Sequence, residues 1–198
     1  MLEEIKKIRV MHSDDIALLI DNPTDLVLID KGAHGAVFKL PKGKCVKIYA
    51  ETANAEREAM TYKRSKNSNI MPHLYEAGEN YIVMDYIEGI SLWKYLSNKK
   101  DIEFDIAYKI VALLKEMKKL GFTRLDSSMR HILVTGDKSL KIIDLVYAYV
   151  RKDEKPVKIF TELQRLGLAS KFMKHVKKID LALYKDWKIA MAEFLKNS

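Results

Sequence analysis

Residues 124–144, Arg-Leu-Asp-Ser-Ser-Met-Arg-His-Ile-Leu-Val-Thr-Gly-Asp-Lys-Ser-Leu-Lys-Ile-Ile-Asp, constrain this chain more than any other stretch. They read as a loop, a short strand over 131–134, a glycine-containing turn and a second strand over 140–143. A hairpin folds the chain back on itself, so a loop before it and a residue after it can face one place. Asp126 stands on the loop, His131 comes five residues later, and Asp144 ends the second strand. The fold has to accommodate two carboxylates and an imidazole around one hairpin.

The flanking sequence says what surrounds that hairpin. Residues 103–120 carry Phe104, Ala107, Ile110, Val111, Leu114, Met117 and Leu120 as one stripe at helical spacing, stopped by Gly121. The stripe is core. Ahead of it, Ser13-Asp14-Asp15 looks like a helix start before an apolar run to Ile20, and Asn22-Pro23 breaks that run. Strands follow at 25–30, 36–40 and 45–49, then a helix over 52–67. Further strands over 73–78 and 81–87 turn at 78–80, Glu88-Gly89 stops the sheet, and a helix begins near Ser91. Pro156 reads as a helix start, and two helices, 156–176 and 180–196, fill the rest.

Composition sets limits. At 198 residues, one domain or two small lobes are possible, and 48% hydrophobic content supplies a core. No apolar run of about 18 residues suggests a membrane span. A single cysteine, Cys45, excludes an internal disulfide and a multi-cysteine zinc site. The charged start, Met-Leu-Glu-Glu-Ile-Lys-Lys, lacks the apolar segment of a signal peptide, so a cytoplasmic protein is the simplest expectation. Net charge is +8, and residues 151–198 hold 12 Lys/Arg against 6 Asp/Glu. Such a region either binds an acidic partner, nucleic acid or an anionic surface, or is a pair of helices with solvated lysine faces.

In their order along the chain these elements resemble the protein-kinase superfamily. Asp126-x-x-x-x-His131 followed by Asp144-Leu145-Val146 is similar to the kinase catalytic loop and metal-binding segment. Asp30-x-Gly32-Ala-His-Gly35-Ala-Val37 resembles the glycine-rich loop, with its second and third glycines present and Asp30 in place of the first. Glycine there would let backbone approach phosphate closely and take φ > 0. Lys47, between Val46 and Ile48, matches the kinase strand lysine; taken alone it is equally an exposed strand residue. Arg57-Glu58 resembles the kinase helix whose glutamate pairs with that lysine, so Glu58 is preferred to Glu56. Residues 81–89 resemble the hinge, with Met84 as gatekeeper and backbone of Asp85 and Ile87 toward adenine.

The resemblance implies an α+β, two-lobed fold: an N-terminal lobe over 1–87, an antiparallel sheet with one helix, and a reduced, mostly helical lobe over 88–198. It also implies ATP with Mg2+ or Mn2+. Lys47, oriented by Glu58, would hold phosphates under Gly32, Gly35 and Val37. Asp144 and His131 would hold the metal, and Asp126 would take the proton of the acceptor hydroxyl. Departures are visible: His131 replaces asparagine, Arg124-Leu125 replaces His-Arg, Ser128 replaces lysine, and Val146 replaces glycine. The stretch from Asp144 to Pro156 is too short for the usual peptide-docking segment. In this economy the chain resembles minimal atypical kinases such as the RIO group, and small bacterial serine/threonine kinases. A kinase acting on protein Ser/Thr, which is favoured, a small-molecule kinase and a nucleotide-binding pseudokinase all remain open.

Overall fold

The structure is a computed structural model that describes residues 2–13 and 18–196, with side chains to 191. Among these residues lie seven helices and ten strands in an α+β arrangement whose named strands all pair antiparallel. Two compact units divide the chain, Met1–Ile87 and Glu88–Ser198.

Period-two alternation builds the first unit. Strands β3 (Leu28–Lys31), β4 (Gly35–Leu40), β5 (Lys44–Tyr49), β6 (Leu74–Ala77) and β7 (Tyr81–Asp85) form a sheet in the order β3-β4-β5-β7-β6. Ala36, Phe38, Leu40, Val46, Ile48 and Val83 bury one face together with Ile5, Ile8 and Val10 from the N-terminal segment. Burial of each such large aliphatic side chain contributes about 1.5–3 kcal/mol. That segment comprises α1 (Leu2–Ile5), β1 (Arg9–His12) and β2 (Leu18–Asp21), with β1 and β2 paired as a separate ladder. The helix expected from Ser13 to Ile20 is therefore corrected: Leu18 and Ile20 pack on the core at strand spacing, while 14–17 lie outside the described residues. A short apolar run fits either periodicity, and here cross-strand pairing with β1 decides it.

Helix α2 (Thr52–Arg64) lies against β5, β6 and β7 and turns Ala55, Glu58, Ala59 and Tyr62 inward. It ends three residues before its expected limit. Gly35 has a sheet reason to be glycine, since a Cβ there would come 2.3 Å from the Ile48 carbonyl oxygen across the β4–β5 ladder. Neither Gly32 nor Gly35 has positive φ, which corrects the expectation that the loop needs left-handed backbone.

The five-stranded sheet ends before Glu88-Gly89, as expected, and the second unit opens a separate three-stranded ladder at Gly89, which the sequence did not indicate. β8 (Gly89–Ser91) pairs with β9 (Ile132–Thr135), which pairs with β10 (Leu140–Ile142). Gly89 permits the close approach, because a Cβ would sit 2.6 Å from the Val134 carbonyl oxygen. Ser91 then caps α3 (Leu92–Lys99), accepting from the Lys94 N–H. Helix α4 (Phe104–Lys119) buries Ala107, Ile110, Val111, Leu114 and Met117 as its stripe requires, whereas Phe104 is 47% exposed and Leu120 half-buried. Three helices replace the expected final two: α5 (Val157–Arg165), α6 (Ala169–Ile179) and α7 (Leu181–Lys196). The extra break falls at Gly167, whose φ of +71° ends α5. No helix among the described residues is long and apolar enough to cross a membrane.

Candidate functional site

The candidate residues fall into two groups, one in each unit. In the first unit, β5 directs Val46 and Ile48 to the apolar core, so Cys45, Lys47 and Tyr49 take the other face. Directly paired antiparallel residues share a face. Val37 lies opposite Lys47 and Met84 opposite Cys45, so three residues assigned to nucleotide from the sequence share one sheet face.

Glu58 reaches this face from α2. Its Oε2 accepts from Lys47 Nζ at 2.7 Å and from Tyr49 Oη at 2.7 Å, and its Oε1 lies 3.5 Å from Tyr62 Oη. Glu58 is fully buried and Lys47 nearly so, whereas Glu56 is exposed. A buried charge is tolerated only when paired and hydrogen-bonded. Tyr49 and Tyr62 were not singled out from the sequence. Their signals exist: Tyr49 is two residues from Lys47 on the same strand face, and Tyr62 is one helical turn from Glu58.

The connection between β3 and β4 is short and tied down. Gly32 donates its N–H to the Gly35 carbonyl at 2.9 Å, and the His34 carbonyl accepts from the Ala50 N–H. At the end of β7, most of the polar groups of Asp85 have partners within the unit. Its N–H goes to the His73 carbonyl at 3.0 Å, its carboxylate accepts from the His73 N–H and Tyr75 Oη, and the Cys45 thiol lies 3.5 Å from its carbonyl. Of its backbone, only that carbonyl can meet a base edge. Ile87 is half-buried at the end of the unit. Burial, with the Asp85 charge adding to it, pushes the Cys45 thiol up to about 12, so it is inert at neutral pH.

In the second unit, a 3-10 turn over Met129–His131 carries the loop into β9. His131 therefore precedes the strand it was expected to open. Its Nε2 lies 3.6 Å from Asp144 Oδ2, and its carbonyl accepts from the Ile143 N–H. Asp144 has φ +62°, a left-handed conformation that asparagine and aspartate visit more readily than other side chains. Lys42, Lys100 and Lys138 take the same region, so this backbone by itself marks a turn. His131 and Asp144 thus come together as two donors. Among the described residues no third His, Cys, Asp or Glu joins them as a metal cluster. Asp144 offers the oxygen donor that magnesium takes, whereas the His131 imidazole suits softer divalent cations.

Asp126 has other neighbours. Its Oδ1 accepts the Lys158 N–H at 2.6 Å, at the first turn of α5, and its Oδ2 lies 3.7 Å from Lys158 Nζ. Burial holds its carboxyl above the usual carboxylate range, opposed by the Lys158 N–H, the Lys158 ammonium and Arg124, and reinforced by Asp153. One turn further along α5, Glu162 accepts from Ser128 Oγ at 2.6 Å and from the Met129 N–H at 2.7 Å. Loop and helix therefore hold each other. Lys158 and Glu162 share a helix face, but nothing in the sequence indicates that this face meets a loop some thirty residues earlier.

No protein-family model matches the chain. Over 126 residues the chain is 28% identical to a Bacillus subtilis (strain 168) protein with the provisional name serine/threonine-protein kinase YrzF, covering 61% of this chain and 59% of the relative. Over 97 residues it is 35% identical to a Clostridium acetobutylicum protein, also provisionally named a serine/threonine-protein kinase, covering 45% of this chain and 15% of the relative. The chain thus spans less than two thirds of the length of either relative. The similarity is to proteins named as kinases.

Proposed function

We propose that this chain is an ATP-dependent phosphotransferase, a small atypical kinase acting on protein serine or threonine. The observation that carries the reading is Lys47, an ammonium fixed by the buried Glu58, which also accepts from Tyr49, on the sheet face it shares with Val37 and Met84. A cation preorganised in an apolar strand supplies phosphate with a fixed charge. In this reading Lys47 holds the α- and β-phosphates beneath the connection carrying Gly32 and Gly35. The Asp85 carbonyl and the Ile87 backbone meet adenine, with Met84 behind it. Asp144 and His131 would hold Mg2+ or Mn2+, which neutralises phosphate charge when bound. Asp126 orients the acceptor hydroxyl and takes its proton. The names of the two relatives support the reading.

The test is incubation with γ-labelled ATP and either metal, following autophosphorylation and ATP hydrolysis. Label transfer that disappears in Lys47→Ala is the expected result; no transfer and no hydrolysis with either metal would refute it. One observation favours a second reading, a pseudokinase that binds nucleotide without transferring phosphate: both oxygens of Asp126 face Lys158. Nucleotide binding without any transfer would select it.

A further inference from the structure

Lys158 touches Asp126 twice, and the two contacts differ in kind. Its main-chain N–H, donated to Oδ1 at 2.6 Å, belongs to the first turn of α5, where helix geometry leaves donors without intrahelical partners. A carboxylate there is a helix cap and asks nothing of the lysine side chain. The ammonium, 3.7 Å from Oδ2, ends a side chain that is 47% exposed. Capping does not explain why a cation sits at this carboxylate. Ser128, two residues after Asp126, carries no charge, and its hydroxyl is donated to Glu162.

Transfer chemistry gives that cation a use. A phosphoryl group in flight spreads negative charge over three equatorial oxygens. Bringing it beside an ionised carboxylate sets two anions in contact. A lysine within reach of both relieves the repulsion, and does so most as the charge develops. Once the acceptor proton reaches Asp126, the carboxyl is neutral and its hold on the ammonium weakens.

We propose that Lys158 is a catalytic residue of the phosphoryl transfer, its ammonium passing from Asp126 Oδ2 to the equatorial oxygens of the transferring group. The inference rests on the kinase reading above. In the step, the acceptor oxygen bonds to the γ-phosphorus as the bond from that phosphorus to the β–γ bridging oxygen breaks. ADP leaves with that electron pair, and the acceptor proton passes to Asp126. Lys158 keeps its proton throughout.

The experiment compares the full chain with Lys158→Met and Lys158→Arg, measuring melting temperature, nucleotide affinity and the pH profile of transfer. Lys158→Met retains the main-chain N–H, so melting temperature and nucleotide affinity stay at wild-type values. Its turnover falls by about 10²-fold, the effect of losing one transition-state donor. Its acid limb moves to higher pH, because the ammonium no longer favours ionised Asp126. Lys158→Arg recovers most of the turnover. Wild-type turnover and an unmoved acid limb in Lys158→Met would overturn the inference while leaving the kinase reading intact. So would a loss that Lys158→Arg does not recover and that tracks a lower melting temperature, since the lysine would then be structural. A wild-type chain without transfer would overturn the kinase reading, and this inference with it.

Discussion

Lys47 is a lysine that the sheet could not bury unaided, and its energetics follow from that. Removing one partner of a buried ion pair leaves an uncompensated charge, costing about 3–5 kcal/mol. Lys47→Ala should therefore lower stability by an amount of that order in urea denaturation, because Glu58 stays fully buried. Tyr49→Phe removes only one hydroxyl donated to Glu58 and should cost less, about 1.5–3 kcal/mol. Near-zero effects from both would mean that the pair is solvated. Asp126→Asn should behave differently, because the amide oxygen can still accept the Lys158 N–H. The folded-state pKa of Asp126 lies above its ordinary value of 3.8, so the wild type loses stability as pH rises through that window. The asparagine variant has no such loss and should be at least as stable at neutral pH, while transfer falls by about 10²–10⁴-fold. A lower melting temperature at neutral pH would show that Asp126 is structural. At this scale Lys47 and Glu58 were legible because strand alternation and a neighbouring Arg-Glu pair mark them. Tyr49 carried the same strand-face signal as Lys47 but went unread, and Lys158 carried none, because its partner lies on a loop some thirty residues earlier.

Among the elements, long periodic segments were legible and short ones were not. Helix α4 stands nearly where its stripe placed it. Gly89-Ile90-Ser91 is too short for alternation to show, so its pairing with β9 escaped the sequence reading. The α5–α6 break was hidden because apolar spacing nearly continues through Gly167. Two glycines allow the physical causes to be separated. Gly167 has positive φ, but a Cβ there would meet nothing within 4 Å. Gly167→Ala should thus cost only backbone strain, about 1–2 kcal/mol. Gly35 has no positive φ, but a Cβ would sit 2.3 Å from the Ile48 carbonyl oxygen, and a paired backbone cannot move aside cheaply. Gly35→Ala should be the more destabilising of the two by denaturant midpoint. The reverse order would mean that the β4–β5 ladder opens more readily than its pairing implies.

For the whole molecule, the proposed roles are divided between the two units, and nucleotide linkage can test that division. A ligand bound only by the folded chain raises stability by about 2.7 kcal/mol at 100 times its Kd. ATP with Mg2+ or Mn2+ should therefore raise the melting temperature of the wild type. In the proposed roles, Lys47 contributes to phosphate binding whether or not metal is present. Asp144 and His131 act only through metal. Lys47→Ala should then lose the shift with ATP alone and with metal-ATP. Asp144→Asn should keep the metal-free shift and lose the increment that metal adds. His131→Asn should keep or increase that increment with Mg2+, since an oxygen donor suits magnesium better than imidazole does. Differential scanning fluorimetry of the three variants, each with ATP plus chelator and ATP plus metal, reads all of these differences at once. Equal loss of both shifts in Asp144→Asn would remove the metal assignment. No shift in the wild type at millimolar nucleotide with either metal would leave the Lys47–Glu58 pair as an internal brace between α2 and β5, and the second unit with no assigned chemistry.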